Sequence, residues 1–383
     1  MKIAILTQPL RTNYGGILQA YAFQTILQRR GHNVVVINRE WADYPSLKLF
    51  VLRLLSIAKC VINRYIYGKK EYIIMSPCSP FYHVKWNGYN VMPFVKQYIN
   101  QSRMLRNSKE LRKYLYKENF DAIIVGSDQV WRPAYTSSIT DYFLKEVPKN
   151  SDTLKISYAA SFGTDNWEFS EVETIICKEL LKEFDAVSVR ESSGVQLCNK
   201  YFDVNAIHVL DPTMLLKEDD YIALMNKSID YIHEGDMFCY ILDQSPEIDK
   251  IIESLKTEGY SPYFANCDAE PTEDDLYPYQ VSVEQWIRGF YDAKIILTDS
   301  FHACVFSILF KKPFIVVGNK CRGMSRFNSL LSMFDLSNRL VFSYDDFEQR
   351  KVELLTALNY ANIEEIMSHW KKKSMLFLSD SGI

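Results

Sequence analysis

Short apolar runs alternate along this chain with stretches whose apolar residues recur at three- and four-residue spacing, a pattern that predicts a parallel α/β architecture. The run from Ile3 to Thr7 reads as a buried strand, followed by a polar turn, Arg11-Thr12-Asn13-Tyr14-Gly15-Gly16. Helical spacing then runs from Ile17 to Arg30 and stops at Gly31, and Val34 to Ile37 reads as a second strand. Together they make a β-α-β unit, the building block of a parallel sheet. Further helices are expected over 108–118, 170–183 and 191–200, with strands over 121–125, 156–160, 186–189 and 207–210.

A second series begins after Pro212, with strands expected over 237–242, 262–264, 294–297 and 314–317. Helices over 246–258, 283–291 and 301–310 separate them. The division expected is a Rossmann-like domain over 1–210 and another over 211–360. A helical tail over 361–383 is expected to pack back on the first domain. The predicted fold is therefore α/β, two doubly wound domains facing a cleft, with ligands collecting beyond the carboxyl ends of the strands.

Residues 41–106 interrupt the alternation and predict a helical insertion. Within it, 47–67 is apolar and carries Lys48, Arg53, Lys59 and Arg64 but no acid, with Lys69 and Lys70 directly after. One reading is a buried helix with solvated cations; the other is a basic amphipathic helix on an anionic membrane surface.

Composition narrows the function. The 383 residues carry 44 basic and 47 acidic side chains, and a net charge of −3 gives no reason to expect nucleic acid as a partner. The amino-terminal apolar run is too short for a signal peptide, and no stretch approaches the roughly 18 apolar residues of a membrane span. The eight cysteines are scattered without a C-x-x-C pair, which predicts reduced, buried thiols and no zinc site. A cytoplasmic protein is expected.

The strand-end loops hold the candidate chemistry. Asn13, Gly15 and Gly16 stand where backbone N–H groups favour an anion or sugar hydroxyls, although neither a dinucleotide fingerprint nor a P-loop is present. A tight turn would explain the same glycines. Ser127, Asp128, Gln129 and Trp131 suit a sugar, with polar groups for hydroxyls and an aromatic face for the ring; a cap and a core tryptophan are the plainer reading. Ser161 lies in another small-residue loop. Arg190 ends an apolar strand, where a guanidinium grips carboxylate or phosphate; a surface pair with Glu191 is the alternative. In Asp211-Pro212-Thr213 a turn role is at least as well supported as a ligand role.

The strongest local signal is Thr298-Asp299-Ser300-Phe301-His302-Ala303, with His302 in the first turn of a helix. The helix dipole disfavours an imidazolium there unless an anion is bound, so His302 suits phosphate binding or protonation of a leaving phosphate. Lys320, Arg322 and Arg326 around Gly323 make an anion clamp or a solvated basic loop.

Together these residues resemble the polysaccharide pyruvyl transferase family. The resemblance is carried by Asn13-Tyr14-Gly15-Gly16, Gly126 to Trp131, Tyr158 to Gly163, Ser188-Val189-Arg190-Glu191, Asp211-Pro212-Thr213 and Thr298 to Ala303. It implies a glycosyltransferase-B-like fold and pyruvyl transfer from phosphoenolpyruvate, as co-substrate, to a sugar or lipid-linked oligosaccharide of a surface polysaccharide. No metal and no further cofactor are expected. The donor-binding arginine of the family falls on Arg190 and its active-site histidine on His302. Many members carry an arginine two positions before that histidine, where this chain has Ser300; Arg322, Arg326 or Lys320 would then supply the charge. Asp128 is expected to position the acceptor. A nucleotide-sugar glycosyltransferase and a non-catalytic carbohydrate-binding protein are the competing readings.

Overall fold

The computed structural model describes residues 1–39, 54–55, 57–59, 61–66, 68, 90–136, 138–148, 151–225, 234–265, 280–318 and 323–383. Among these, the amino-terminal strands β1 (Lys2–Leu6), β2 (Asn33–Ile37), β3 (Ala122–Gly126), β4 (Leu154–Ala160), β5 (Ala186–Val189) and β6 (Ile207–His208) form one sheet. Its order is β2-β1-β3-β4-β5-β6 and every pairing is parallel. Helices cover both faces, so β3 is buried at every residue, which is why its sequence is continuously apolar.

The second sheet comprises β7 (Met237–Tyr240), β8 (Pro262–Phe264), β9 (Ile295–Thr298), β10 (Phe314–Val317) and β11 (Leu340–Val341), in the order β11-β10-β9-β7-β8, again parallel. The fold is thus α/β with two Rossmann-like domains of the glycosyltransferase-B-like kind.

The helices that matter for the site are α1 (Tyr14–Arg29), α2 (Met92–Tyr98), α3 (Ser108–Glu118), α4 (Glu171–Leu181) and α5 (Ser192–Leu197) in the first half of the chain. After them come α6 (Glu218–Met225), α7 (Pro246–Thr257), α8 (Val283–Asp292), α9 (Phe301–Leu309), α10 (Ser325–Met333), α11 (Tyr344–Leu355) and α12 (Tyr360–Asp380). Reciprocal capping boxes start α4 at Ser170 with Glu173 and α8 at Ser282 with Gln285. Helix α1 begins three residues before the apolar spacing does, because Tyr14 is anchored by burial and draws Gly15 and Gly16 into the first turn.

The largest apolar cluster runs through both domains, joining Phe23 and Tyr158 to Phe238, Trp286 and Phe306. At its centre the Tyr14 ring stacks on Trp286 with centroids 5.1 Å apart, and the Tyr14 hydroxyl donates to the Val281 carbonyl at 2.6 Å. Helix α12 lies across the junction of the two domains: Ser374 Oγ accepts from Leu210 N at 3.0 Å, and Lys371 donates to the Leu216 carbonyl at 2.8 Å.

Much of the basic segment 47–70 lies outside the described residues. Of the described apolar side chains there, Leu54, Leu55, Val61, Ile62, Tyr65 and Ile66 are exposed and Ile57 is half-buried, which corrects the buried-helix reading at the exposed positions. Cys177, Cys198, Cys239 and Cys304 are buried free thiols. No described helix is long and apolar enough to cross a membrane.

Candidate active site

In each sheet the chain reverses its direction of winding at one place, between β1 and β3 in the first and between β7 and β9 in the second. Ligands of doubly wound sheets bind outside the strand ends at such switch points. Here both switch points open onto one cleft of about 290 Å³. From the first sheet it is lined by Thr12, Asn13, Gly15, Asp128, Gln129 and Tyr135, and from the second by Tyr240, Leu242, Trp286, Asp299, Ser300, Phe301, His302, Arg326 and Phe327.

Two helix amino termini meet in this cleft. Asn13 caps α1 and Ser300 caps α9, yet neither side chain bonds to its own helix. Asn13 instead turns to Asp128, its Nδ2 lying 3.5 Å from Oδ2. Free N–H groups and the positive ends of both helix dipoles are therefore left at the cleft. Asp299 steers the neighbouring loop, accepting from Leu242 N at 2.7 Å and from Asp243 N at 2.8 Å, and so ends β7 earlier than its apolar run suggests.

His302 is 6% exposed and crosses from the second domain to rest on the first. A Cβ placed on Gly15 would fall 1.9 Å from His302 Nδ1 and 2.2 Å from its Cγ. Only a glycine at position 15 leaves the imidazole its place.

Beneath the lining lies a buried ionic layer. Arg190 Nη1 donates to Asp211 Oδ2 at 2.8 Å, and Nη2 stands 3.8 Å from Asp128 Oδ1. The guanidinium lies over the Phe301 ring, 4.6 Å from its centroid. Its Nε and Nη2 find no hydrogen-bond partner. Burial opposes the charge on Arg190, but Asp211, Asp128 and Glu191 outweigh it and raise its pKa. Asp211 Oδ2 also accepts from Ser127 Oγ at 3.1 Å and faces His302 Nε2 at 3.5 Å, while Oδ1 accepts from Thr213 N and Oγ1. Burial alone would raise the Asp211 carboxyl; His302, Arg190 and Thr213 together hold it far below the ordinary carboxylate range.

Arg326 reaches the cleft itself, with its guanidinium 5.8 Å from the Phe301 centroid. Burial and the neighbouring Arg190 cation bring its pKa down to about 10, so it remains charged at neutral pH. Arg190 and Arg326 thus flank one aromatic ring, a repulsive pairing that an anion would relieve.

The sequence-predicted residues divide accordingly. Asn13, Gly15, Asp128, Gln129, Ser300, His302 and Arg326 line the cleft, and Arg190 sits directly behind it. Gly16 lies close by, where a Cβ would stand 3.2 Å from Asp128 Oδ2. Lys320 and Arg322 fall outside the described residues.

Three acceptor-side expectations are corrected. Trp131 is fully buried, with Nε1 donating to the Tyr142 carbonyl and its ring stacked on Phe143, so it offers no face to a sugar. Ser127 spends its hydroxyl on Asp211, and Ser161 gives its own to Glu191 Oε1 at 3.0 Å. Glu191 is no surface partner of Arg190. It is fully buried, and Oε1 also accepts from Phe162 N and Gly163 N, holding that loop in shape. Burial is the main cause that raises its pKa.

Tyr240 and Trp286 escaped sequence reasoning. Tyr240 does follow the strand-end rule, but Trp286 sits in the middle of α8 and carries no local signal that distinguishes it from core.

A model of the polysaccharide pyruvyl transferase family matches residues 13–320. No curated protein matches the chain. Among solved structures, a putative UDP-N-acetylglucosamine 2-epimerase from Listeria monocytogenes is similar at 9% identity and a TM-score of 0.52, with 96% of this chain and 90% of that one covered. The UDP-GlcNAc 2-epimerase from Neisseria meningitidis, bound to UDP-GlcNAc, is similar at 12% identity and a TM-score of 0.51, covering 98% and 100%. A UDP-N-acetylglucosamine 2-epimerase from Rickettsia bellii gives 10% identity and a TM-score of 0.50, covering 99% and 96%. At these identities the likeness is one of fold.

Proposed function

The chain belongs to the polysaccharide pyruvyl transferase family, and from that premise we propose that it joins the pyruvyl group of phosphoenolpyruvate to two hydroxyls of one sugar. The acceptor is a surface polysaccharide unit or its lipid-linked precursor, and the products are a ketal and phosphate. One observation carries the choice of an anionic donor: Arg326 and His302 converge on the uncapped amino terminus of α9, with a second uncapped helix terminus opposite.

The step balances without a further cofactor. A proton added to the methylene carbon of the donor leaves a cationic carbon, and the first sugar hydroxyl attacks it and gives up its proton. The second hydroxyl then displaces phosphate, which leaves with the remaining proton. Arg326 binds the anion directly, standing in for the arginine that Ser300 replaces, and Arg190 adds its charge from behind Phe301. Preorganised cations of this kind act on the developing phosphate without reorganisation at the moment of reaction. His302 exchanges a proton with the phosphate or the attacking hydroxyl, and Asp128 with Asn13 and Gln129 orients the acceptor. The exposed apolar side chains of 54–66, in a segment rich in cations, fit a peripheral contact with the inner face of an anionic membrane, where a lipid-linked acceptor would be met.

Incubation with phosphoenolpyruvate and a panel of galactose, mannose and N-acetylhexosamine acceptors tests the reading through phosphate release and ketal formation. Turnover only with a nucleotide sugar would sink it. Co-sedimentation with vesicles that do or do not contain anionic lipid tests the membrane contact separately.

A further inference from the structure

The buried carboxylate of Asp211 has no place in the reaction as written, yet it touches both groups that do. Its Oδ2 receives Arg190 Nη1 at 2.8 Å and Ser127 Oγ at 3.1 Å, and lies 3.5 Å from His302 Nε2. Thr213 occupies Oδ1 through its backbone and its hydroxyl, at 3.0 and 2.7 Å, so the carboxyl plane is fixed. Arg190 and Asp211 side chains are each 1% exposed, and His302 is 7%. His302 Nε2 makes no hydrogen bond, and Asp211 Oδ2 at 3.5 Å is the charged group it faces; in so dry a setting a lone pair on Nε2 would be repelled by the carboxylate, whereas an N–H would be attracted.

The geometry points to Asp211 as a positioning residue that keeps the proton of the neutral His302 ring on Nε2, and thereby leaves Nδ1 as the nitrogen that exchanges protons in the cleft. Arg190 and both Thr213 donors favour the ionised carboxylate that faces the ring. The same oxygen fixes Arg190 against Phe301, the residue next to His302. One carboxylate thus couples the angle of the cation to the tautomer of the base. The tautomer is a property of the free protein, and only the consequence for turnover rests on the pyruvyl-transfer reading.

The tautomer is read directly in ligand-free protein labelled with nitrogen-15 histidine, followed up to the pH at which the ring signals no longer move. The His302 signals among the 6 histidines are assigned by their loss in His302→Gln. The expected spectrum has a protonated Nε2 and an unprotonated Nδ1; a protonated Nδ1 in the wild-type protein overturns the proposal. In Asp211→Asn the amide can donate to Nε2, so the Nδ1–H form should become populated. Turnover should fall on the order of 100- to 10,000-fold, by analogy with a triad whose histidine is left in the wrong tautomer. An Asp211→Asn protein that folds and keeps both its tautomer and its kcat would likewise refute the role. Should that variant fail to fold, the wild-type spectrum decides the matter alone. If the tautomer is as expected but no phosphoenolpyruvate is turned over, the fault lies with the assigned reaction and not with Asp211.

Discussion

Replacing Gly15 by alanine sets two physical effects against each other. Gly15 lies in the first turn of α1 and has no positive φ, so the backbone accepts alanine without strain. Helix propensity alone favours the change by up to about 1 kcal/mol. The new methyl, however, would stand 1.9 Å from His302 Nδ1, 2.2 Å from Cγ and 2.5 Å from Cε1. Carbon contacts relax only near 3.5–4 Å, so the ring must withdraw by more than about 1 Å. A displacement of that size at a reacting group costs roughly 100-fold in rate, or about 2.7 kcal/mol of transition-state stabilisation. We therefore expect Gly15→Ala to melt within a few degrees of the wild type while kcat falls about 100-fold or more. Phosphate release at saturating phosphoenolpyruvate and a thermal melt on the same sample measure the two quantities. A folded variant with near wild-type kcat would refute both the contact and the role given to His302.

Other residues give independent checks. Arg326→Ala should raise the KM for phosphoenolpyruvate on the order of 10- to 100-fold with an unchanged melt, and unaltered kinetics would remove Arg326 from the donor site. Trp131→Phe should lower stability by about 1–3 kcal/mol through loss of its bond to Tyr142 and leave the acceptor KM alone; a weakened acceptor would show that the ring does face the sugar. His208 Nε2 meets the Arg190 carbonyl at 3.0 Å, and burial brings its pKa down to about 4 from an unfolded value of 6.5. The buried neutral ring therefore contributes stability above pH 6.5 that is lost as the pH falls toward 4, up to about 3 kcal/mol. Urea unfolding of wild type and His208→Gln between pH 7.5 and 4.5 should show the variant losing less on acidification, and parallel curves would exclude this account.

Local periodicity carried the architecture. Apolar runs bounded by small polar residues located the strands, and the rule that ligands gather at strand ends led to Asn13, Gly15, Asp128, Ser300 and His302, all of which line the cleft. The strand-end rule locates a loop but does not say which way each side chain points. Ser127 and Trp131 flank Asp128 in one such loop, yet both are buried away from the cleft. The alternative of a surface pair with Glu191 stayed open in the sequence because three N–H and O–H donors from a loop 28 to 30 residues away, which hold it in the core, leave no trace in its neighbourhood.

Two parallel sheets, most of their strands and helices, and the presence of His302 in the first turn of a helix were legible in the sequence alone, since each depends on residues within a few positions of one another; β11 and helices α6, α10 and α11 were not read from it. Tertiary structure decided the rest. Asp128 adopts a left-handed backbone with φ of 67°, which turns the chain so that Trp131 N reaches the Ser161 carbonyl and its ring enters the core. Docking of the two domains decided that Gly15 meets His302, and that Asp211 stands between His302 and Arg190. Those contacts join residues 91 to 287 positions apart along the chain where the structure brings His302 to Asp211 and to Gly15. Side-chain periodicity reports which face of an element is buried, but not which element from elsewhere in the chain covers it.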